Sequence, residues 1–183
     1  MTPLALRNGA DQFGLITRLL HWSMAALILV MLALGLRISS MQPGLSNLWL
    51  YGLHKTLGLT LLALVVLRVI WHVASPPPLP IGLPGAARMF VRAWHWTLYA
   101  LMIAVPISGW AGSSASGIDT VFANTITVPP LVAPSERAEF VWFILHEIFA
   151  KTLLGMVIVH ILAALKREMS GDGTLTRMLR GRV

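Results

Sequence analysis

The chain has 183 residues, of which 56% are hydrophobic and only 11% are charged. Soluble domains carry about 25% charged residues, so this composition excludes an ordinary soluble globule and indicates a membrane protein of one domain. The absence of cysteine excludes disulfides, iron–sulfur clusters, thiolate catalysis and covalently attached c-type haem. The net charge of +7 comes from basic residues that flank apolar segments, which is typical of membrane topology and not of nucleic-acid binding.

Four apolar segments are long enough to span a bilayer, which takes roughly 20 apolar residues. The spans are predicted, in chain order, at about residues 18–38, 50–74, 93–112 and 140–165. The first is predicted to be a retained helix, because its apolar run exceeds a signal-peptide core of about 7–15 residues and no small-residue cleavage site follows. Glycines and prolines between residues 112 and 139 predict a long ordered loop or a short surface element. The fold is therefore predicted to be an all-α integral membrane four-helix bundle in a single domain, residues 1–183.

The basic residues are distributed unequally between the two ends of the predicted bundle. Of the 14 lysines and arginines, ten lie on the side that holds both termini. The other side and its flanking turns carry Arg37, Lys55, Arg137 and Lys151. Because cytoplasmic loops are enriched in basic residues, both termini are predicted to be cytoplasmic. Four spans agree with that parity.

Four histidines fall at two depths of the predicted bundle. His146 and His160 lie 14 residues apart on the fourth span. That is nearly four helical turns, so their side chains share a face and are separated by about 21 Å along the axis. His21 opens the first span at the end with the termini, and His54 opens the second span at the opposite end. Depth thus pairs His21 with His160 and His54 with His146.

Two layers of paired imidazoles suit two bis-histidine haems. Histidine is a common axial ligand of haem iron, and axial ligation sets the reduction potential. Two axial histidines leave no vacant iron position for oxygen, so such a centre is suited to passing electrons. A tetrahedral non-haem metal site fits less well, since depth separates the histidines into pairs and no cysteine completes a set.

A series of different short motifs lies along nearly the whole chain. They are Arg18-Leu19-Leu20-His21-Trp22, His54-Lys55-Thr56-Leu57-Gly58, Arg68-Val69-Ile70-Trp71 before Ser75-Pro76-Pro77-Pro78, Pro106-Ile107-Ser108-Gly109, Leu145-His146-Glu147, His160-Ile161-Leu162-Ala163-Ala164-Leu165-Lys166 and Asp172-Gly173-Thr174-Leu175. Because these motifs occur in this order and include four histidines, the sequence resembles the prokaryotic cytochrome b561 family. The resemblance implies a four-helix bundle of the bacterial inner membrane with two b-type haems. It implies iron ligation by His21 and His160 at the inner haem and by His54 and His146 at the outer haem. It also implies electron exchange with ubiquinone and makes superoxide a candidate donor.

Several other polar residues are candidates for cofactor contacts. His95 opens the third span at the inner side with Tyr99 one turn later, so both are predicted quinone contacts. His72, beside the proline break, is predicted to lie at the cytoplasmic interface. Contacts with haem propionates are predicted for Arg18, Arg92 and Lys166 at the inner haem and for Arg37 and Lys55 at the outer haem.

The leading functional prediction is transmembrane electron transfer between a periplasmic-side donor and the quinone pool. Superoxide oxidation with ubiquinone as acceptor is one form of it. The outer loops and their flanking turns are neutral, with three basic residues facing three acidic ones. Steering of an anion favours excess positive charge, so a periplasmic redox protein is an alternative donor. Two other hypotheses stay open: a cytochrome b anchor subunit of a larger dehydrogenase or hydrogenase, and a haem-free transporter or structural membrane protein.

Overall fold

A computed structural model describes residues 5–182 of the chain. The elements are α1 (Leu15–Ser39), α2 (Leu48–Ala74), α3 (Gly85–Ala115), β1 (Thr120–Phe122), β2 (Ile126–Val128), α4 (Glu136–Met169) and α5 (Thr174–Arg180). The first four helices in this order are long and apolar enough to cross a membrane. The predicted all-α membrane four-helix bundle is thereby confirmed.

The helices extend beyond the apolar segments that predicted them, most of all at the starts of α3 and α4. The first of these begins at Gly85 after the N-cap residue Pro84, whereas the sequence predicted a start near residue 93. The second begins at Glu136, where the Ser135 hydroxyl accepts a hydrogen bond from the Ala138 N–H at 3.4 Å. Hydropathy locates the part of a helix that lies in lipid, but capping determines where the helix begins.

The core of the bundle is apolar and lies in the middle of the four spans. Its backbone packing joins α1 to α2, α2 to α3, and α3 to α4. The buried residues at its centre are Met24, Ile28, Leu61, Val65, Leu98, Leu101, Met102 and Leu153. Only one of them comes from α4, so most of that long apolar helix is left to face lipid or other apolar groups.

One end of the bundle, called here the hairpin end, is covered by the β1–β2 hairpin. The strands pair antiparallel, and the turn between them contains Ala123 and Asn124 with φ of 50° and 56°. Consecutive positive φ values are typical of the tight turns that match the twist of a hairpin. The Ala123 N–H donates to Thr56 Oγ1 at 3.1 Å, and Lys55 Nζ donates to the Asp119 carbonyl at 3.1 Å. These bonds fix the hairpin over the start of α2.

The opposite end, called here the termini end, brings both ends of the described chain together. The Phe13 N–H donates to the Gly181 carbonyl at 2.8 Å, and Trp22 Nε1 donates to the Met178 carbonyl at 3.2 Å. The short helix α5, which was not among the predicted elements, therefore folds back against the start of α1. Its first turn is capped by the Glu168 carboxylate.

The turn into α5 is held by Asp172. Its Oδ1 accepts from the Thr174 N–H at 2.9 Å, and its Oδ2 lies 2.6 Å from Arg167 Nε. Burial alone would raise the pKa of Asp172, but the hydrogen bonds from Thr174 and the charge of Arg167 outweigh it and hold that pKa below its usual range. The ionised carboxylate thus stabilises the folded turn.

Candidate functional site

At the hairpin end, two imidazoles from α2 and α4 approach each other. The ring centroids of His54 and His146 are 6.0 Å apart, with an interplanar angle of 83°. The Nδ1 of His146 lies 2.8 Å from the Val105 carbonyl, which can only accept, so Nδ1 carries the hydrogen and Nε2 keeps its lone pair. The Nδ1 of His54 is buried and has no hydrogen-bond partner among the described residues.

Gly109 on α3 makes room for the His146 ring. A Cβ at this position would lie 3.0 Å from both Cε1 and Nδ1 of that ring, closer than ordinary van der Waals contact. The Val105 carbonyl, just before the helix-interior residue Pro106, accepts from both His146 and the Ser108 hydroxyl. The motif Pro106-Ile107-Ser108-Gly109 thus positions a histidine of the neighbouring helix.

At the termini end, the described structure brings three imidazoles together. The ring centroids of His21 and His160 are 6.3 Å apart with an interplanar angle of 54°. Those of His95 and His160 are 5.5 Å apart at 88°. The Nδ1 of His95 donates to the Val91 carbonyl at 2.7 Å within its own helix, so Nε2 of the neutral ring is an acceptor.

The spacing of two of these pairs suits a metal held between them. A metal–imidazole bond is about 2 Å long, so two axial nitrogens lie about 4 Å apart and their ring centroids about 6 Å apart. His21 with His160 and His54 with His146 meet this condition, whereas the edge-to-face contact of His95 with His160 is shorter.

The same two pairs link helices whose backbones are not closely packed against each other. Within residues 5–182, α4 packs its backbone closely against α3 but not against α1 or α2. The pair of His21 and His160 joins α4 to α1, and the pair of His54 and His146 joins α4 to α2. Each pair therefore links α4 to a helix outside its close backbone packing, whereas His95 belongs to the packed partner α3. The residues present fit two planar iron cofactors.

A polar cluster that sequence reasoning missed adjoins the termini-end pair. Nη2 of Arg68 lies 3.2 Å from His21 Nδ1, and its guanidinium carbon lies 5.9 Å from the centroid of the Tyr99 ring. The Tyr99 hydroxyl lies 3.2 Å from His72 Nδ1. From the sequence, Arg68 was predicted only as a topology and motif residue, and His72 only as an interface residue. The available signal was their i,i+4 spacing at the depth of His21.

The basic residues predicted as propionate contacts lie in different surroundings. Arg18 donates from Nε to the Met178 carbonyl at 3.3 Å and from Nη2 to the Leu179 carbonyl. Lys55 donates to the Asp119 carbonyl. The remaining three are exposed at the ends of the bundle: Arg37, Arg92 and Lys166.

Comparison with known proteins identifies the family. The sequence profile of prokaryotic cytochrome b561 matches residues 12–181. The chain belongs to the prokaryotic cytochrome b561 family. It is 32% identical to "Cytochrome b561 homolog 2" of Escherichia coli (strain K12) over 182 residues, which cover 96% of this chain and 95% of that protein. It is 26% identical to "Probable superoxide oxidase CybB" of Yersinia pestis over 168 residues, which cover 87% and 91%.

Family membership gives the four spans a biochemical setting. The protein is a prokaryotic multi-pass membrane cytochrome b with a role in electron transfer. Membership also implies b-type haem as the cofactor. Among the described residues, the two histidine pairs have a spacing that fits such a group.

Proposed function

We propose that this cytochrome b561 carries electrons across the bacterial inner membrane through two b-type haems. His21 and His160 would hold one haem at the termini end, and His54 and His146 would hold the other at the hairpin end. The observation that carries the proposal is the 6.3 Å and 6.0 Å spacing of these two ring pairs, each of which joins α4 to another helix. When bound, each haem supplies a one-electron Fe(III)/Fe(II) couple.

The protein's part in this function is to hold and orient the axial imidazoles. The His146 Nδ1–H bond to the Val105 carbonyl fixes the tautomer and leaves Nε2 as the atom that would ligate the iron. Two imidazoles at each site would hold the haem iron and would leave it no free position for oxygen. Electron exchange with partners therefore takes place at the rim of each site.

We place quinone exchange at the termini end, beside His95 and Tyr99. His95 is exposed on α3, where an apolar quinone can arrive through the lipid. While Nδ1 donates to the Val91 carbonyl, neutral Nε2 accepts a hydrogen bond from a quinol hydroxyl. Uptake of a proton at Nε2 turns the same atom into a donor to a quinone carbonyl. Ubiquinone is the proposed acceptor.

The electron donor is proposed to react at the hairpin end. The relative named as a probable superoxide oxidase supports superoxide as that donor. The neutral charge balance of the hairpin-end loops instead supports a periplasmic redox protein, because little steering of an anion is built into this surface. The two donors are distinguished by measuring steady-state haem reduction with xanthine oxidase as a source of superoxide. Reduction that superoxide dismutase abolishes supports superoxide.

The orientation and extent of the protein are part of the same proposal. The ten-to-four distribution of basic residues supports cytoplasmic termini, and the described parts of both ends lie together at the termini end. The hairpin end then faces the periplasm. We propose that the chain forms a single dihaem domain.

The test is haem loading of single histidine variants of the purified full chain. Pyridine haemochrome assays should give about two haems per chain for the wild type. His160→Ala and His146→Ala should each lose one haem, because each iron loses one axial bond. Redox titration resolves one midpoint potential for each haem, and the two variants should each lack a different one. Retention of both haems in either variant would refute the axial assignment, and a co-purifying catalytic subunit would favour a membrane-anchor role.

A further inference from the structure

Arg68 places a positive charge in the termini-end half of the membrane-spanning bundle. It lies on α2, and its Nε is buried without a hydrogen-bond partner among the described residues. Charged side chains within a membrane are costly and are normally paired. The buried cation therefore requires an anionic group that accepts a hydrogen bond from Nε and neutralises the charge.

The described chain offers Arg68 no carboxylate partner. The chain has seven acidic residues, and the ion pairs found within residues 5–182 join Glu147 to Lys151 and Asp172 to Arg167. Arg68 contacts the His21 ring nitrogen, the face of the Tyr99 ring and the Tyr99 hydroxyl. A neutral nitrogen and an aromatic face leave the charge without an anion.

His72 presents a second unsatisfied atom one turn further along α2. Its Nδ1 lies 3.2 Å from the Tyr99 hydroxyl, and its Nε2 is buried without a partner in the described structure. If the hydroxyl donates to Nδ1, Nε2 carries the hydrogen and is a donor. Arg68 and His72 are then two donors at i,i+4 spacing on one helix face.

Axial ligation by His21 changes the surroundings of Arg68. A guanidinium has donors only, so its contact with His21 Nδ1 requires a lone pair on that nitrogen. When the ring ligates a metal, one nitrogen binds the metal and the other carries a hydrogen. Neither nitrogen can then accept from Arg68. Binding of a haem between His21 and His160 would thus remove one acceptor from Arg68 and bring new acceptors, the haem carboxylates, close to it.

We propose that Arg68, assisted by His72, binds the carboxylate of a propionate on the haem held by His21 and His160. This inference rests on the proposed dihaem function. A carboxylate accepts several hydrogen bonds and forms strong, often bidentate, pairs with arginine. Arg68 is thereby a positioning residue that fixes the rotation of the macrocycle. Of the arginines predicted for this role at the inner haem, Arg18 donates to carbonyls of α5 and Arg92 is exposed.

The test compares haem b with its dimethyl ester, in which both carboxylates are blocked. Full-length apoprotein from haem-deficient cells is reconstituted with each form, and haem transfer to apomyoglobin is followed. From the site that is lost in His160→Ala, the wild type should release the ester about tenfold faster than haem b, since hydrogen bonds to a charged group are lost. In Arg68→Met the ester and haem b should leave that site at similar rates. Arg88→Met, at an exposed arginine on α3 that donates to the Leu83 carbonyl, is the matched control and should keep the wild-type difference.

The outcomes separate this inference from the dihaem proposal. An equal effect of esterification in the wild type and in Arg68→Met would overturn the propionate contact. If Arg68→Met fails to load haem, Arg68→Lys replaces it and should show a reduced difference, because the charge remains but the planar fork is lost. An unchanged difference in Arg68→Lys together with an unchanged infrared band of carbon-13-labelled propionate would also overturn it. The axial assignment is tested independently by haem loss in His160→Ala.

Discussion

Gly109→Ala tests whether close packing of α3 against His146 maintains the hairpin-end site. The added Cβ would lie 3.0 Å from Cε1 and Nδ1 of the ring, so the ring must move by a few tenths of an ångström. That movement is opposed by the hydrogen bond from Nδ1 to the Val105 carbonyl, which is 2.8 Å long. The substitution therefore either strains this hydrogen bond or shifts Nε2 away from its axial position.

The expected cost follows from that contact. Adding a methyl group to a packed site costs about 1–3 kcal/mol. Applied to the bound state alone, this weakens haem retention at the hairpin end about 5- to 150-fold. Alanine also raises helix propensity by about 1 kcal/mol over glycine, so the variant chain should still fold. The termini-end pair of His21 and His160 should be unaffected.

Haem transfer to apomyoglobin, combined with redox titration, measures this effect. Gly109→Ala should accelerate release from one site and leave the other unchanged, and the fast site should be the one missing in His146→Ala. Gly85→Ala is the matched control on the same helix, because a Cβ there meets nothing within 4 Å. Two wild-type release phases and unchanged potentials in Gly109→Ala would refute the proposed role of Gly109 and the axial geometry built on it.

Three further predictions concern other parts of the molecule. His95→Phe should slow quinone-dependent reoxidation in stopped-flow measurements while both haem spectra persist; unchanged kinetics would remove His95 from the quinone site. Asp172→Asn should increase hydrogen exchange of the α5 amides several-fold at pH 7. Because the folded pKa of Asp172 is depressed, its stabilisation is present above the unfolded value of about 3.9 and is lost as pH falls through the folded value. The variant should lack this acid sensitivity. Reporter fusions within residues 116–135 and after residue 182 should lie on opposite sides of the membrane; the same side would contradict the proposed topology.

The four spans were predictable because lipid imposes a simple requirement on sequence. About 20 apolar residues are needed to cross a bilayer, and the chain shows four such segments. The ends of α3 and α4 were less predictable, since Pro84 and Ser135 act outside the apolar segments. The helix α5 was missed because it is short and its first turn depends on the Glu168 carboxylate of α4.

The histidine depths were predictable, but the polar neighbours were not. Helical periodicity places His146 and His160 at opposite ends of one helix face, and the structure brings a histidine from another helix to each. The Tyr99–His72 hydrogen bond depends on how α3 packs against α2, which spacing along one helix does not specify. Arg18 was predicted beside a propionate, but its contacts with α5 depend on a fold-back that hydropathy does not reveal.

Quantified haem content with a reduced-minus-oxidised spectrum tests the central claim most directly. The purified full chain should contain about two b-type haems per polypeptide, both low-spin in the oxidised and reduced states, because two imidazoles occupy each iron. Replacing His160 or His146 by alanine should each leave one haem. A single haem in the wild type, or a high-spin spectrum at either site, would contradict the two bis-histidine centres.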